Sequence, residues 1–93
     1  MVQVNEYFDG KVKSFVINSG GIKKTVGVME PGEYEFNTET KEIMTVVDGE
    51  LTVYLPEYDE WEDYGAGSSF EISAQSKFKV KVAQDTAYLC QYE

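Results

Sequence analysis

Glu42-Ile43-Met44-Thr45-Val46-Val47-Asp48-Gly49-Glu50-Leu51-Thr52-Val53-Tyr54-Leu55 is the stretch on which the fold turns. In its second half Leu51, Val53 and Leu55 alternate with Glu50, Thr52 and Tyr54, a period of two that a strand satisfies and a helix does not. Pro56 stops the run, because it has no N–H to donate to a ladder. Asp48-Gly49, at the centre, is a pair that commonly closes two-residue turns, so a hairpin is expected there. The first half is less clear in its facing. Met44 and Val46 lie on the side of Glu42, while Ile43 and Val47 are apolar on the other side. A strand apolar on both faces fits a barrel wall covered by a partner.

The same alternation extends in both directions from this stretch. Strands are expected at 11–17, 25–29, 33–37, 69–72, 78–82 and 87–92, with Asn18-Ser19-Gly20-Gly21 and Pro31-Gly32 among the turns. Lys77, Lys79 and Lys81 share one face and belong in water, so Phe78, Val80 and Val82 point inward. Tyr34, Phe36 and Thr38 share a face opposite Glu33 and Glu35. No stretch reads as a stable helix, and there is no linker or low-complexity tract. The acid-aromatic segment 57–64 reads as a solvated loop or strand with its rings docked down. The expectation is one all-β domain over residues 1–93, a jelly-roll-like antiparallel β-barrel.

Composition narrows the chemistry. Seventeen acidic against eight basic residues give a formal charge of −9. Such a field repels nucleic acid and anionic lipid, so neither is expected as a partner. All eight basic residues are lysines, and there is no histidine. The chain therefore lacks an imidazole base, an imidazole metal ligand and the bidentate arginine fork for phosphate. Cys90 is the only cysteine, which excludes an internal disulfide and a multi-cysteine zinc site. No apolar run approaches a membrane span, and the N-terminus lacks a secretory pattern, so a cytoplasmic protein is expected.

Two resemblances follow from the motifs. Pro31-Gly32, then Glu42, then Gly49 after six intervening residues, resembles the tail of the first cupin motif. Gly67, with Ser73 and Phe78 after it, falls in the frame of the second. Cupin metal ligands would fall on Phe36, Thr38, Glu42 and Phe78, and only Glu42 is a ligand type, so no metal or other cofactor is expected. Asn5-Glu6-Tyr7-Phe8-Asp9-Gly10-Lys11-Val12-Lys13-Ser14, Val26-Gly27-Val28-Met29 and Glu42-Ile43-Met44-Thr45-Val46 make a closer match. With Trp61, Ala66-Gly67-Ser68 and Tyr88-Leu89-Cys90-Gln91-Tyr92, they resemble the small single-domain bacterial pyrimidine/purine nucleoside phosphorylases. The likeness covers almost the whole chain. It implies a pentosyltransferase that splits nucleosides with phosphate into free base and ribose 1-phosphate, with broad base tolerance. The chain departs from the family pattern at Lys23-Lys24, where an arginine-bearing loop is expected, and at Ser73-Ala74-Gln75, where a Pro-Gly turn is usual.

That chemistry assigns roles. Phosphorolysis passes through a cationic sugar, so positioning and electrostatics supply most of the rate. Glu42 is the candidate for the ribose hydroxyls and the sugar charge, and Met44 for packing on the ribose. Phe36, Phe78, Tyr34 and Tyr88 are candidates for stacking the base. Lys13 and Lys11, on one strand face, are the candidate phosphate cations, with hydroxyls from Thr38, Thr45 and Ser14. Each has a plainer reading: core for the rings and Met44, a solvated edge for the lysines, a satisfied buried acid for Glu42. Two other functions fit the residues. One is a non-enzymatic metal-free cupin that binds small ligands or partners, its lumen filled by rings. The other is a sugar isomerase-like cupin. A homodimer is expected, because strands apolar on both faces need cover.

Overall fold

The computed structural model describes residues 1–93 as ten strands and no helix. They are β1 (Val4–Tyr7), β2 (Val12–Ser19), β3 (Ile22–Met29), β4 (Gly32–Asn37), β5 (Glu42–Asp48), β6 (Glu50–Leu55), β7 (Glu60–Gly65), β8 (Ser69–Ile72), β9 (Lys77–Val82) and β10 (Thr86–Tyr92). Six form one sheet in the order β1-β2-β3-β10-β5-β8, and four form a second in the order β4-β9-β6-β7. Every pairing is antiparallel. The expected barrel takes the form of two facing sheets, with no single ladder closing around the axis. This is the cupin-like double-sheet arrangement.

Alternation decides what lies between the sheets. Phe78, Val80 and Val82 are buried while Lys77, Lys79 and Lys81 are exposed, and Leu51, Val53 and Leu55 point inward. On β5, Met44 and Val46 are buried and Val47 is exposed, which settles the ambiguous strand. The core runs through both sheets, with Val12, Met29, Met44, Val46, Leu51, Val80 and Phe78 at its centre.

The Asp48-Gly49 pair does not close a hairpin. β5 and β6 belong to different sheets, and Gly49 is the corner at which the chain changes layer. Its φ is +94°, and a Cβ there would stand 2.5 Å from Thr86 Oγ1 and 2.9 Å from the Asp85 carbonyl oxygen. Glycine is required by that close approach as well as by its backbone angle. Thr86 seals the corner, accepting a hydrogen bond from the Glu50 N–H at 3.2 Å. The true two-residue turn is Gly20-Gly21, both at positive φ, between the paired residues Ser19 and Ile22. Lys23 and Lys24 consequently lie within β3 and not on a loop.

Two strands lie outside the expected set. β1 is short and largely exposed, and the β1–β2 turn holds Phe8, Asp9 and Gly10 at positive φ. That turn folds Phe8 across to the four-stranded sheet, where its ring meets Tyr34 at 4.9 Å and Phe36 at 5.6 Å. β7 occupies most of the acid-aromatic segment. Tyr64 docks on Phe70 at 4.5 Å, while Trp61 stays on the outer surface, beneath the Lys81 ammonium and beside Tyr54.

Candidate active site

The two sheets separate at one end around a cavity of about 730 Å³. Inward residues of β3 and β10 form its floor, β5 adds Glu42 and Met44, and β4 and β9 give Phe36 and Phe78 opposite. Strand parity explains who is there. Thr25, Gly27 and Met29 point inward on β3, so Lys23, two residues earlier, does too; Tyr88, Cys90 and Tyr92 do the same on β10.

Glu42 is the chemical centre of the cavity. It is half-buried and lies directly across from Tyr92 on β10. The Cys90 thiol donates to its Oε1 at 3.3 Å. Burial raises the Glu42 carboxyl above its ordinary range, partly opposed by the thiol hydrogen bond and by the nearby positive charge of Lys23. Lys23 sits 5.0 Å from the centre of the Tyr92 ring, and the Tyr92 hydroxyl shares a 3.2 Å hydrogen bond with Thr25. Burial pushes the Tyr88 phenol up to about 12 and lifts the Cys90 thiol and Tyr92 phenol as well. At neutral pH these three groups are proton-bearing donors and not bases.

Gly27 shapes the floor. A Cβ at this position would stand 2.6 Å from the Tyr88 hydroxyl oxygen and 2.6 Å from the Lys13 carbonyl oxygen. Without one, the Tyr88 phenol lies flat across β3 toward Ser14, the cross-strand partner of Gly27 on β2. The opposite wall is aromatic, with Phe36 stacked on Phe78 at 5.4 Å and Phe8 edge-on to Phe36.

Of the residues singled out from sequence, Glu42, Met44, Phe36, Phe78 and Tyr88 come together on this cavity, and Ser14 joins them. Five do not line it. Lys13 projects from the outer face of β2, where it pairs with Glu6 at 3.3 Å; Lys11 is exposed just before that strand and is of the same parity. Alternation that buries Val12 and Ser14 turns both lysines away. Tyr34 lies in the core beneath the wall, its hydroxyl donating to the Glu30 carbonyl at 2.5 Å. Thr38 is buried and engaged with the β8–β9 turn, donating to the Ser73 carbonyl at 2.7 Å and accepting from the Ser76 N–H at 3.0 Å. Thr45, a further candidate hydroxyl, faces the other way and bonds Ser69. Lys23, Thr25, Cys90 and Tyr92 are among the lining residues not singled out from sequence.

A family model for pyrimidine/purine nucleoside phosphorylase matches residues 2–92. The chain belongs to the pyrimidine/purine nucleoside phosphorylase family. Curated relatives of that name include proteins from Marinobacter nauticus, 58% identical over 99% of both chains, and Teredinibacter turnerae, 57% identical over 100% of this chain and 99% of the relative. A Vibrio parahaemolyticus protein of unknown function superposes with a TM-score of 0.96 at 44% identity, covering 100% of this chain and 99% of its own. An RmlC-like cupin from Shewanella frigidimarina shares the fold, with a TM-score of 0.77 at 16% identity, covering 98% of this chain and 82% of its own.

The metal that many cupins hold does not suit this family member. The ligand positions carry two phenyl rings, a hydrogen-bonded threonine and one carboxylate. No group of three His, Cys, Asp or Glu side chains stands together. Glu42 and the Cys90 thiol are the only ligand types in contact, and burial keeps that thiol protonated.

Proposed function

We propose that this protein is a broad-specificity nucleoside phosphorylase, a pentosyltransferase that converts a nucleoside and inorganic phosphate to free base and ribose 1-phosphate. One observation carries the reading beyond family membership: Glu42 sits in an aromatic-walled cavity whose lining contains a single lysine, Lys23. In the reaction a phosphate oxygen bonds C1′ of the ribose as the C1′–N bond breaks and its electron pair leaves with the base. Glu42, ionised, accepts hydrogen bonds from ribose hydroxyls and favours the positive charge that grows on the sugar. Phe36 and Phe78 stack the base, and Met44 packs on the ribose. Lys23 takes the phosphate role that the outward-facing Lys11 and Lys13 are not placed to fill. Thr25 and Tyr92 offer hydroxyl donors beside it, and Ser14 another further along the lining.

Stacking reads every base alike, which supports broad specificity. The test is release of free base from uridine, adenosine and inosine with and without phosphate. Release that needs phosphate supports the reading. No release, or release indifferent to phosphate, overturns it.

A homodimer fits the outer face of the six-stranded sheet. Val4, Phe15, Val26 and Leu89 are consecutive partners across β1, β2, β3 and β10, and the first three are exposed there. Such a row is self-complementary about a two-fold axis. The outer face of the other sheet instead pairs Glu33 with Lys81 and Glu35 with Lys79, and is suited to water. No helix is long and apolar enough to cross a membrane. The single buried, unpaired cysteine fits a reducing compartment such as the cytoplasm.

A further inference from the structure

The charge of the cavity asks for a particular kind of nucleoside. Glu39, Glu42 and Glu93 line it against Lys23 alone, while Glu35, at its edge, turns to the outer face of β4 with Lys77 and Lys79. Among these walls stand Phe36, Phe78, Tyr88 and Tyr92, whose ring faces attract cations. No side chain in the lining is an obvious acid for the leaving base at neutral pH. There is no histidine in the chain, and the Tyr88 and Tyr92 phenols and the Cys90 thiol hold their protons tightly. Neutral bases gain negative charge as they leave and benefit from such an acid.

We propose that the cavity favours nucleosides whose base carries a fixed positive charge, pyridinium ribosides being the class. This rests on the phosphorylase reading of the same site. The acidic, aromatic lining attracts the cationic ring. As C1′–N breaks, the electron pair returns to the ring nitrogen and neutralises it, so the base leaves without a proton. The positive charge passes to the sugar, still beside Glu42. A hydrogenphosphate oxygen completes the bond to C1′, and ribose 1-phosphate then loses its proton to water. Charge stays inside one negative cavity throughout, and no acid is consumed.

Binding is tested first, on the whole protein without phosphate. Nicotinamide riboside is compared with benzamide riboside, which has a carbon in place of the charged ring nitrogen and so the same shape without the charge. The cation should bind about five-fold more tightly, the advantage shrinking in high salt. Equal or weaker binding of the cation overturns the proposal, whatever the activity. Turnover is the second arm, with the ratio of kcat/KM for nicotinamide riboside to that for uridine as readout. In the Glu39→Gln/Glu93→Gln double variant that ratio should fall about three- to five-fold relative to wild type, intrinsic lability cancelling in the comparison. An unchanged ratio overturns the proposal. Tight, salt-sensitive binding of the cation with no phosphorolysis of either nucleoside would support the charge preference and overturn the phosphorylase reading instead.

Discussion

The Cys90 thiol donates a hydrogen bond to Glu42 Oε1 across 3.3 Å, joining the β10 strand to the one carboxylate at the centre of the cavity. Burial raises the Glu42 carboxyl, so this acid holds its proton more tightly folded than unfolded. The folded state therefore has its full stability below the unfolded carboxyl range and loses some as pH rises through the folded value. Glu42→Gln has no charge to bury. It should be more stable than wild type at neutral pH, with the difference closing as pH falls into the acid range, as thermal melts across pH would show. Its kcat/KM for uridine should fall roughly ten- to a hundred-fold if one charge-assisted hydrogen bond is lost from the transition state.

Lys23→Met should raise the KM for phosphate about ten-fold, the effect of losing roughly one charge-assisted contact, with a smaller effect on nucleoside KM. Lys13→Met, on the outer face with Glu6, should leave both within about two-fold. Steady-state kinetics at varied phosphate separates the two. Equal responses would place the phosphate elsewhere.

Gly27→Ala puts a methyl group where the Tyr88 hydroxyl and the Lys13 carbonyl stand. Overpacking of this kind costs about 1–3 kcal/mol, and the carbonyl cannot move as a side chain would. Each kcal/mol lowers Tm by roughly 4–8 °C in a domain of this size, so calorimetry should show a clear fall. Tyr88→Phe removes the hydroxyl alone and should relieve part of the loss in the double variant.

Base discrimination should be shallow and sugar discrimination steeper. On the proposed reading the lining stacks bases more than it reads their edges, so uridine, adenosine and inosine should differ less in kcat/KM than uridine differs from 2′-deoxyuridine. Loss of one ribose hydroxyl proposed to face Glu42 should cost roughly ten- to a hundred-fold. A thousand-fold preference among the three bases would contradict the stacking model.

Val26→Lys places a charge in the middle of the apolar row on the outer sheet face. It should convert the proposed dimer to monomer at micromolar concentration in sedimentation, while stability of the isolated fold changes by only about 0.5 kcal/mol. A wild-type chain that is already monomeric would remove the basis of this prediction.

Much of this architecture was legible because alternation is a strong signal where one face meets water, as at Lys77-Phe78-Lys79-Val80-Lys81-Val82. β1 escaped notice because Asn5 and Glu6 leave four residues with little apolar pattern. Asp48-Gly49 misled because the same flexible glycine serves a tight hairpin or a corner between layers, and only the approach of Thr86 distinguishes them. At the site, Glu42 and the facing rings were legible through motif spacing. Lys23 was not, although counting back by two from Thr25, Gly27 and Met29 would have turned it inward. Lys11 and Lys13 share a face with each other, but the burial of Val12 and Ser14 fixes that face as the outer one.

β10 is the last strand in the chain, yet it lies between β3 and β5 in the middle of the larger sheet. During synthesis the β1-β2-β3 and β5-β8 portions are therefore made before the strand that joins them. Until Thr86–Tyr92 emerges, the inner edges of β3 and β5 have no partner and the cavity lacks half its floor. The nascent chain must wait with two sticky edges uncovered, a period in which neighbouring chains compete for the same hydrogen bonds. The two halves of the larger sheet are joined only once Thr86–Tyr92 has left the ribosome.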